Sequence, residues 1–175
     1  MVEYIAFHSD NETLGQGFLA AIEMLSMVDF DPFLTQFGVE DIVADAWYPQ
    51  QLELDVLHTI YEACGKVALI QIGRRIPDVV EYGVEVKTIE DAIGLLDVGY
   101  KYNHRGPDVG SFKHDWLEKR TIRMTSRTPY PNDLDFGILW RLIEKFRPDD
   151  SENFSVEYDN DGNDDPDICI YLLKW

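Results

Sequence analysis

The stretch Asp97-Val98-Gly99-Tyr100-Lys101-Tyr102-Asn103-His104-Arg105-Gly106 packs two tyrosines, an amide, an imidazole and a guanidinium into one short span. Tyr100, Asn103, His104 and Arg105 supply donors and acceptors that can orient a polar or anionic ligand, Arg105 through a rigid bidentate fork. These four are the candidate ligand-binding residues. The plain structural reading of the same stretch is a helix end, with a histidine that satisfies the last carbonyls and an arginine that faces solvent. Both readings stand on the sequence alone.

Other chemistry-bearing residues offer less. The acidic run Asp159-Asn160-Asp161-Gly162-Asn163-Asp164-Asp165-Pro166-Asp167 suggests calcium, but an EF-hand begun at Asp159 needs glycine where Asp164 stands and a bidentate glutamate where Ile170 stands. Its Asn, Asp, Gly and Pro content fits a hairpin loop. His8, His58 and His114 are scattered without metal spacing, so no metal site is expected. The two cysteines, Cys64 and Cys169, give neither a disulfide framework nor a zinc site, and Cys64 falls on the apolar stripe of a helix, which points to the core. No Gly-x-Ser-x-Gly elbow, phosphate loop or His-Glu-x-x-His occurs, so no catalytic residue is assigned and the balance leans away from an enzyme.

The elements that must position the central stretch follow from periodicity. Leu14, Phe18, Ala21, Ile22, Leu25 and Val28 recur at helical spacing behind Asp10-Asn11-Glu12-Thr13. Asp31 to Gly38 reads as a short helix with Pro32 in its first turn. After Trp47-Tyr48-Pro49, a stripe of Leu52, Val56, Leu57, Ile60, Tyr61 and Cys64 predicts a helix stopped by Gly65. The run from Val67 to Gly73 suits either a second short helix or a buried strand, which periodicity does not separate, and a helix ending before Pro77 is the favoured reading. Thr88 to Asp91 forms a capping box, with Asp in place of Glu, for a helix bearing Ile89, Ala92, Ile93, Leu96 and Tyr100 and ended by Gly106-Pro107.

Beyond Pro107 the period changes. Val109 to Leu117 and Arg120 to Arg127 suit strands around a turn at Glu118-Lys119. Leu134, Ile138, Leu139, Leu142, Ile143 and Phe146 then mark a helix capped by Asn132 or Asp133 and closed near Pro148. Phe154, Val156 and Tyr158 alternate with polar residues, and Ile168 to Trp175 forms a last strand-like run. The fold class is α+β: an N-terminal helical layer packed on a C-terminal antiparallel sheet of ββαββ order.

Composition sets the remaining bounds. A length of 175 residues calls for one domain spanning 1–175, and 45% hydrophobic residues suffice for its core despite 33 acidic against 15 basic side chains. The net charge of −18 repels phosphate backbones, and the short basic pairs Arg74-Arg75 and Lys119-Arg120 do not overcome it, so direct nucleic-acid binding is not expected. No apolar run approaches a membrane span, and the N-terminus lacks the basic and apolar regions of a signal peptide. A reducing, cytoplasmic location is expected.

The helical half followed by a ββαββ half, the segment from Tyr48-Pro49-Gln50 to Ile76-Pro77, the helix bearing Leu95-Leu96-Asp97-Val98, and the ending Cys169-Ile170-Tyr171-Leu172-Leu173-Lys174-Trp175 together resemble a superfamily. It comprises the heme-NO/oxygen-binding (H-NOX) domains, 4-vinyl-reductase-like domains and TRAPP small subunits. The resemblance implies a pocket between helical layer and sheet that holds heme in one branch and other small or acyl ligands elsewhere. Heme-binding members carry a proximal histidine on the helix before the hairpin, where the nearest equivalents here are Gly99 or Tyr100. They also carry a Tyr-x-Ser-x-Arg clamp in the following strands, whereas Ile122-Arg123-Met124-Thr125-Ser126-Arg127 lacks the tyrosine and the spacing.

His104 lies one turn beyond Tyr100, and either side chain can ligate ferric iron, so heme stays open as a cofactor although its usual ligand is missing. The leading expectation is a small-molecule-sensing or regulatory domain, its ligand or protein partner unnamed. The runner-up is an acidic interaction protein that binds a basic partner through its surface, by nucleic-acid mimicry for instance. A third reading, an enzyme acting on a tetrapyrrole or similar apolar substrate, has no defined acid–base pair behind it.

Overall fold

A computed structural model describes residues 4–23, 35, 41–79 and 85–175. In chain order the elements are β1 (Glu12–Leu14), α1 (Gly15–Glu23), β2 (Trp47–Pro49), α2 (Gln50–Cys64), α3 (Lys66–Val79) and α4 (Ile89–Asn103). There follow β3 (His104–Arg105), β4 (Ser111–Glu118), β5 (Thr121–Arg127), α5 (Asn132–Phe146), β6 (Ser155–Tyr158) and β7 (Cys169–Lys174). The molecule is α+β. Leu25, Val28 and the short helix expected over 31–38 lie outside the described residues, Thr35 apart.

β4, β5, β7 and β6 form an antiparallel sheet in that order, with Met124 opposite His114 on one side and Tyr171 on the other. Alternation sets its buried face: Ile122 and Met124 on β5, and Cys169, Tyr171 and Leu173 on β7, turn inward against α4 and α5. A second apolar cluster gathers Phe18, Leu54, Leu57, Leu69 and Ile72 from α1 to α3 around Tyr130 and Leu134. Tyr100 touches both clusters. It stands at the joint between the helical layer and the sheet layer.

α3 and α5 bind the two halves together. Gly73 and Gly137 meet where a Cβ on either would overlap a backbone carbonyl of the facing helix, so the glycines permit the close crossing. Arg74 pairs with Glu144 at 3.1 Å, and Arg141 and Lys145 both pair with Asp78 at 3.0 Å. These contacts correct one expectation: α3 does not end before Pro77 but continues through it to Val79. An interior proline costs a helix about 3 kcal/mol, yet Pro77 lies near the end of α3, is buried, and offers its carbonyl to Lys145 Nζ at 3.1 Å.

Other corrections are local. Neither Asn132 nor Asp133 caps α5; Pro131 holds that position, and its carbonyl accepts from the amide of Leu134 at 2.9 Å. Cys64 is exposed: it is the last residue of α2, beyond the buried part of the stripe, and Gly65, at a positive φ of 73°, closes the helix. The β4–β5 turn falls on Lys119-Arg120, one residue later than expected, with Arg120 at φ 61°. The capping box of α4 is present: Thr88 Oγ1 accepts from the amide of Asp91, whose carboxylate accepts from the amide of Thr88, both at 3.1 Å.

A small sheet that periodicity did not reveal does most to position the central stretch. β1 lies between β2 and β3, with Leu14 opposite Trp47 and Thr13 opposite His104. Three short strands, remote in sequence, therefore meet at the C-terminus of α4. No helix among the described residues is long and apolar enough to cross a membrane.

Candidate functional site

α4 ends at Asn103, and His104 leaves it in an extended conformation to pair with β1. The chain is fixed on both sides of this exit. Asp97 accepts from the amide of Phe112 at 2.9 Å, which ties α4 to β4. Gly106, at φ 141°, lies so close to Asn11 that a side chain there would collide with it. Asn11 is itself buried and donates to Gln50 Oε1 at 3.1 Å and to the carbonyl of Asp108 at 2.5 Å.

A cavity of about 80 Å³ lies beside this exit, between the helical layer and the sheet. Leu96, Phe112, Leu134 and Ile138 give it mostly apolar walls, and Tyr100, Asn103 and His104 face it from the end of α4. Arg105 lies outside: it is exposed, with Nε 2.5 Å from Glu12 Oε2 and its guanidinium 4.3 Å over the Trp47 ring. Three of the four candidate residues thus meet at one cavity, and the fourth clamps the small sheet.

Each polar group at the cavity has a partner. Asn103 donates to the carbonyl of Gly99 at 2.7 Å and accepts from Gln16. Tyr100 donates its hydroxyl to the carbonyl of Val109 at 2.5 Å, and its ring stacks on His104 with centroids 4.1 Å apart. His104 Nδ1 lies 2.7 Å from the carbonyl of Tyr100, and Nε2 lies 2.7 Å from Tyr130 Oη. Tyr130 Oη in turn lies 2.6 Å from Glu53 Oε2. Burial lowers the pKa of His104 from its ordinary 6.5 to about 4, against the opposing pull of the Tyr100 carbonyl.

Two buried carboxyls complete the walls, and neither was singled out from the sequence. Burial raises the pKa of Glu53, with the hydroxyls of Tyr130 and Thr13 opposing. It raises that of Asp135 to about 7, with Ser126 and Thr128 opposing through hydroxyls at 2.5 and 3.0 Å from Oδ2. A signal was available for both. Glu53 precedes Val56, Leu57 and Ile60, and Asp135 precedes Ile138, Leu139 and Leu142, so each acid occupies the first position of an i, i+3, i+4, i+7 apolar stripe.

Elsewhere, no group of three or more metal-ligating side chains forms among the described residues. In the acidic run, Asn160 accepts from the amide of Ile170 at 2.7 Å and Asn163 donates to the carbonyl of Ile168 at 2.8 Å. These bonds close the β6–β7 connection as a hairpin loop.

The residues at the cavity do not fit a histidine-ligated heme. Both ring nitrogens of His104 are already bonded, and Tyr100 gives its hydroxyl to a carbonyl. At about 80 Å³ the cavity also falls far below the roughly 300–1,000 Å³ typical of drug-sized ligands.

No family model and no curated protein matches this sequence. Solved structures do. The H-NOX protein from S. oneidensis in its Fe(II)NO state superposes with a TM-score of 0.64 at 12% identity, covering 92% of this chain and 98% of that one. An oxygen-binding H-NOX domain related to soluble guanylate cyclases gives a TM-score of 0.67 at 15% identity, covering 91% of each chain. A mutant Fe(II) unliganded H-NOX protein from K. algicida gives 0.69 at 12% identity, covering 92% of this chain and 95% of that one. The chain therefore has the H-NOX fold.

Proposed function

We propose that this chain is a ligand-sensing or regulatory domain that uses the H-NOX fold without a histidine-ligated heme. Its site is the cavity bounded by Tyr100, Asn103 and His104. The observation that carries this reading is the double engagement of His104. Iron ligation through Nε2 would have to break the contact with Tyr130, and ligation through Nδ1 the bond to the Tyr100 carbonyl, each leaving a buried polar group without its partner at a cost of about 1–3 kcal/mol. The solved structures of the same fold include an H-NOX protein in its Fe(II)NO state and an oxygen-binding H-NOX domain in its oxygen complex, which supports sensing as the role of the fold.

Purification from heme-supplemented cells tests the reading. The expected protein is colourless and stays so on titration with hemin; a Soret band that disappears in His104→Ala overturns it.

A second reading rests on charge. Asp161, Asp164, Asp165 and Asp167 are exposed on a loop whose backbone is held by Asn160 and Asn163, so the acidic surface is presented in a fixed shape. With a net charge of −18, this suits a basic protein partner, including one whose basic groove ordinarily takes nucleic acid. Binding to such a partner that ignored both salt and neutralisation of these four aspartates would remove this reading.

A further inference from the structure

The three groups Glu53, Tyr130 and His104 pose a counting problem. The contacts of Tyr130 Oη with Glu53 Oε2 at 2.6 Å and with His104 Nε2 at 2.7 Å each need a proton between the two atoms. The tyrosine hydroxyl has one to give. His104 cannot resolve the count by changing tautomer, because its Nδ1 lies 2.7 Å from the Tyr100 carbonyl, an acceptor only, and so must carry a hydrogen. The second proton therefore sits either on the Glu53 carboxyl or on Nε2 of an imidazolium. Thr13 Oγ1, at 3.5 Å from Nε2, is too distant to satisfy it.

Burial separates the two states. The imidazolium state places a carboxylate and a cation on either side of a phenol inside the protein; the other leaves all three groups neutral. Desolvation acts on both ends in the same sense, keeping the proton on Glu53 and off His104. The other titratable groups at the cavity do not reverse this. Tyr100 is neutral, its pKa raised well above its ordinary value by burial, and the carboxyl of Asp135 is turned to the hydroxyls of Ser126 and Thr128.

No lysine or arginine lines the cavity among the described residues, and its polar atoms are spent on one another. An anion would find no cation, and a cation would find the Glu53 carboxyl already protonated and that of Asp135 engaged by the hydroxyls of Ser126 and Thr128. We infer that Glu53 carries the shared proton, donating to Tyr130, which donates to His104, and that the cavity beside this chain takes a small uncharged molecule of apolar surface. The inference rests on the proposed function for its site. Size narrows it further: an apolar cavity of about 150 Å³ holds benzene, so a cavity of about 80 Å³ takes a molecule smaller than that ring.

The experiment has two arms on the full chain. In the first, nitrogen-15 spectra of His104 and the infrared carbonyl band of Glu53 are recorded at neutral pH. The expected result is a neutral ring protonated on Nδ1, together with a carboxylic-acid band that vanishes in Glu53→Gln while the His104 shifts stay in place, since the amide replaces the acid as donor to Tyr130. An imidazolium pattern that collapses in Glu53→Gln overturns the assignment. In the second arm, xenon is expected to shift the methyl resonances of Leu96, Leu134 and Ile138 saturably, while acetate and methylammonium leave them in place. Saturable binding of either ion at these residues, or no response to xenon, overturns the ligand class. A Soret band that disappears in His104→Ala overturns the proposed function, and the ligand class with it; a colourless protein with an imidazolium at His104 overturns this inference alone.

Discussion

α2 and α5 begin alike and end up doing different things. Pro49-Gln50-Gln51-Leu52-Glu53 and Pro131-Asn132-Asp133-Leu134-Asp135 each put a proline at the cap, a buried leucine at the third helical residue and a buried acid at the fourth. Both acids then face the same cavity from opposite halves of the molecule. What separates them is the chemistry of the neighbours. Asp135 meets two hydroxyls, Ser126 and Thr128, that can both donate to it, so it is satisfied ionised or protonated. Glu53 meets Thr13 and Tyr130, and the single proton of Tyr130 is also claimed by His104, so Glu53 must donate to Tyr130. A buried carboxyl takes its protonation state from the donor count around it, not from the helix that carries it.

The largest effect that would break this comparison comes from removing the Glu53 side chain. Glu53→Ala leaves Tyr130 and His104 short of one partner and opens a void, and is expected to cost about 3 kcal/mol in urea denaturation. Glu53→Gln keeps the donor and is expected to stay within about 1 kcal/mol. Equal losses for the two variants would mean that Glu53 acts through its charge. Next in size, Tyr130→Phe cuts both contacts at once and is expected to cost about 2 kcal/mol, with the His104 resonances moving. Unmoved resonances would show that Tyr130 and His104 are not bonded.

A third effect depends on pH. The pKa of Asp135 is raised from 3.8 to about 7, so its contribution to stability is complete below pH 3.8 and is lost as pH rises through 7. Glu53, also raised, acts with the same sign. The pKa of His104 is lowered from 6.5 to about 4, so its contribution is complete above pH 6.5 and is lost as pH falls through 4. The slopes of Asp135 and His104 oppose one another between these limits. Asp135→Asn removes one of them, and its stability relative to the parent is expected to climb steadily from pH 4 to pH 7; a flat difference would place an ordinary carboxyl at this site. The smallest effect is that of Arg105→Ala. It breaks an exposed ion pair with Glu12, and less than about 1 kcal/mol is expected, with no change in xenon binding.

Much of this architecture was legible in the residues. Apolar stripes marked α2, α4 and α5, the Thr88 box marked where α4 starts, and alternation marked the paired strands, because these signals depend on neighbours a few positions away. In the stretch ending α4, Tyr100, Asn103 and His104 reach one cavity. Arg105 pointed elsewhere for a reason the sequence does not carry: His104 leaves the helix as a strand residue, and the next side chain is turned to the opposite side, onto Glu12 and Trp47. The small sheet that forces this joins segments separated by tens of residues, each too short to show a period.

The sequence by itself determined the types of the longer elements, the capping of α4, the stop at Gly65, and the two acids set on apolar stripes. All of these follow from backbone preferences and from the 3.6- and 2-residue periods. The end of α4 at Asn103, three residues before the expected stop at Gly106-Pro107, was set by the pairing of His104 with β1. Only the tertiary structure decided that Glu53, Tyr130 and His104 line up within hydrogen-bond reach and that Asp135 stands apart from them. Protonation inside a protein is settled by how many donors and acceptors converge within hydrogen-bond reach away from water, and those partners come from α2, the α4–β3 junction and the stretch from β5 into α5.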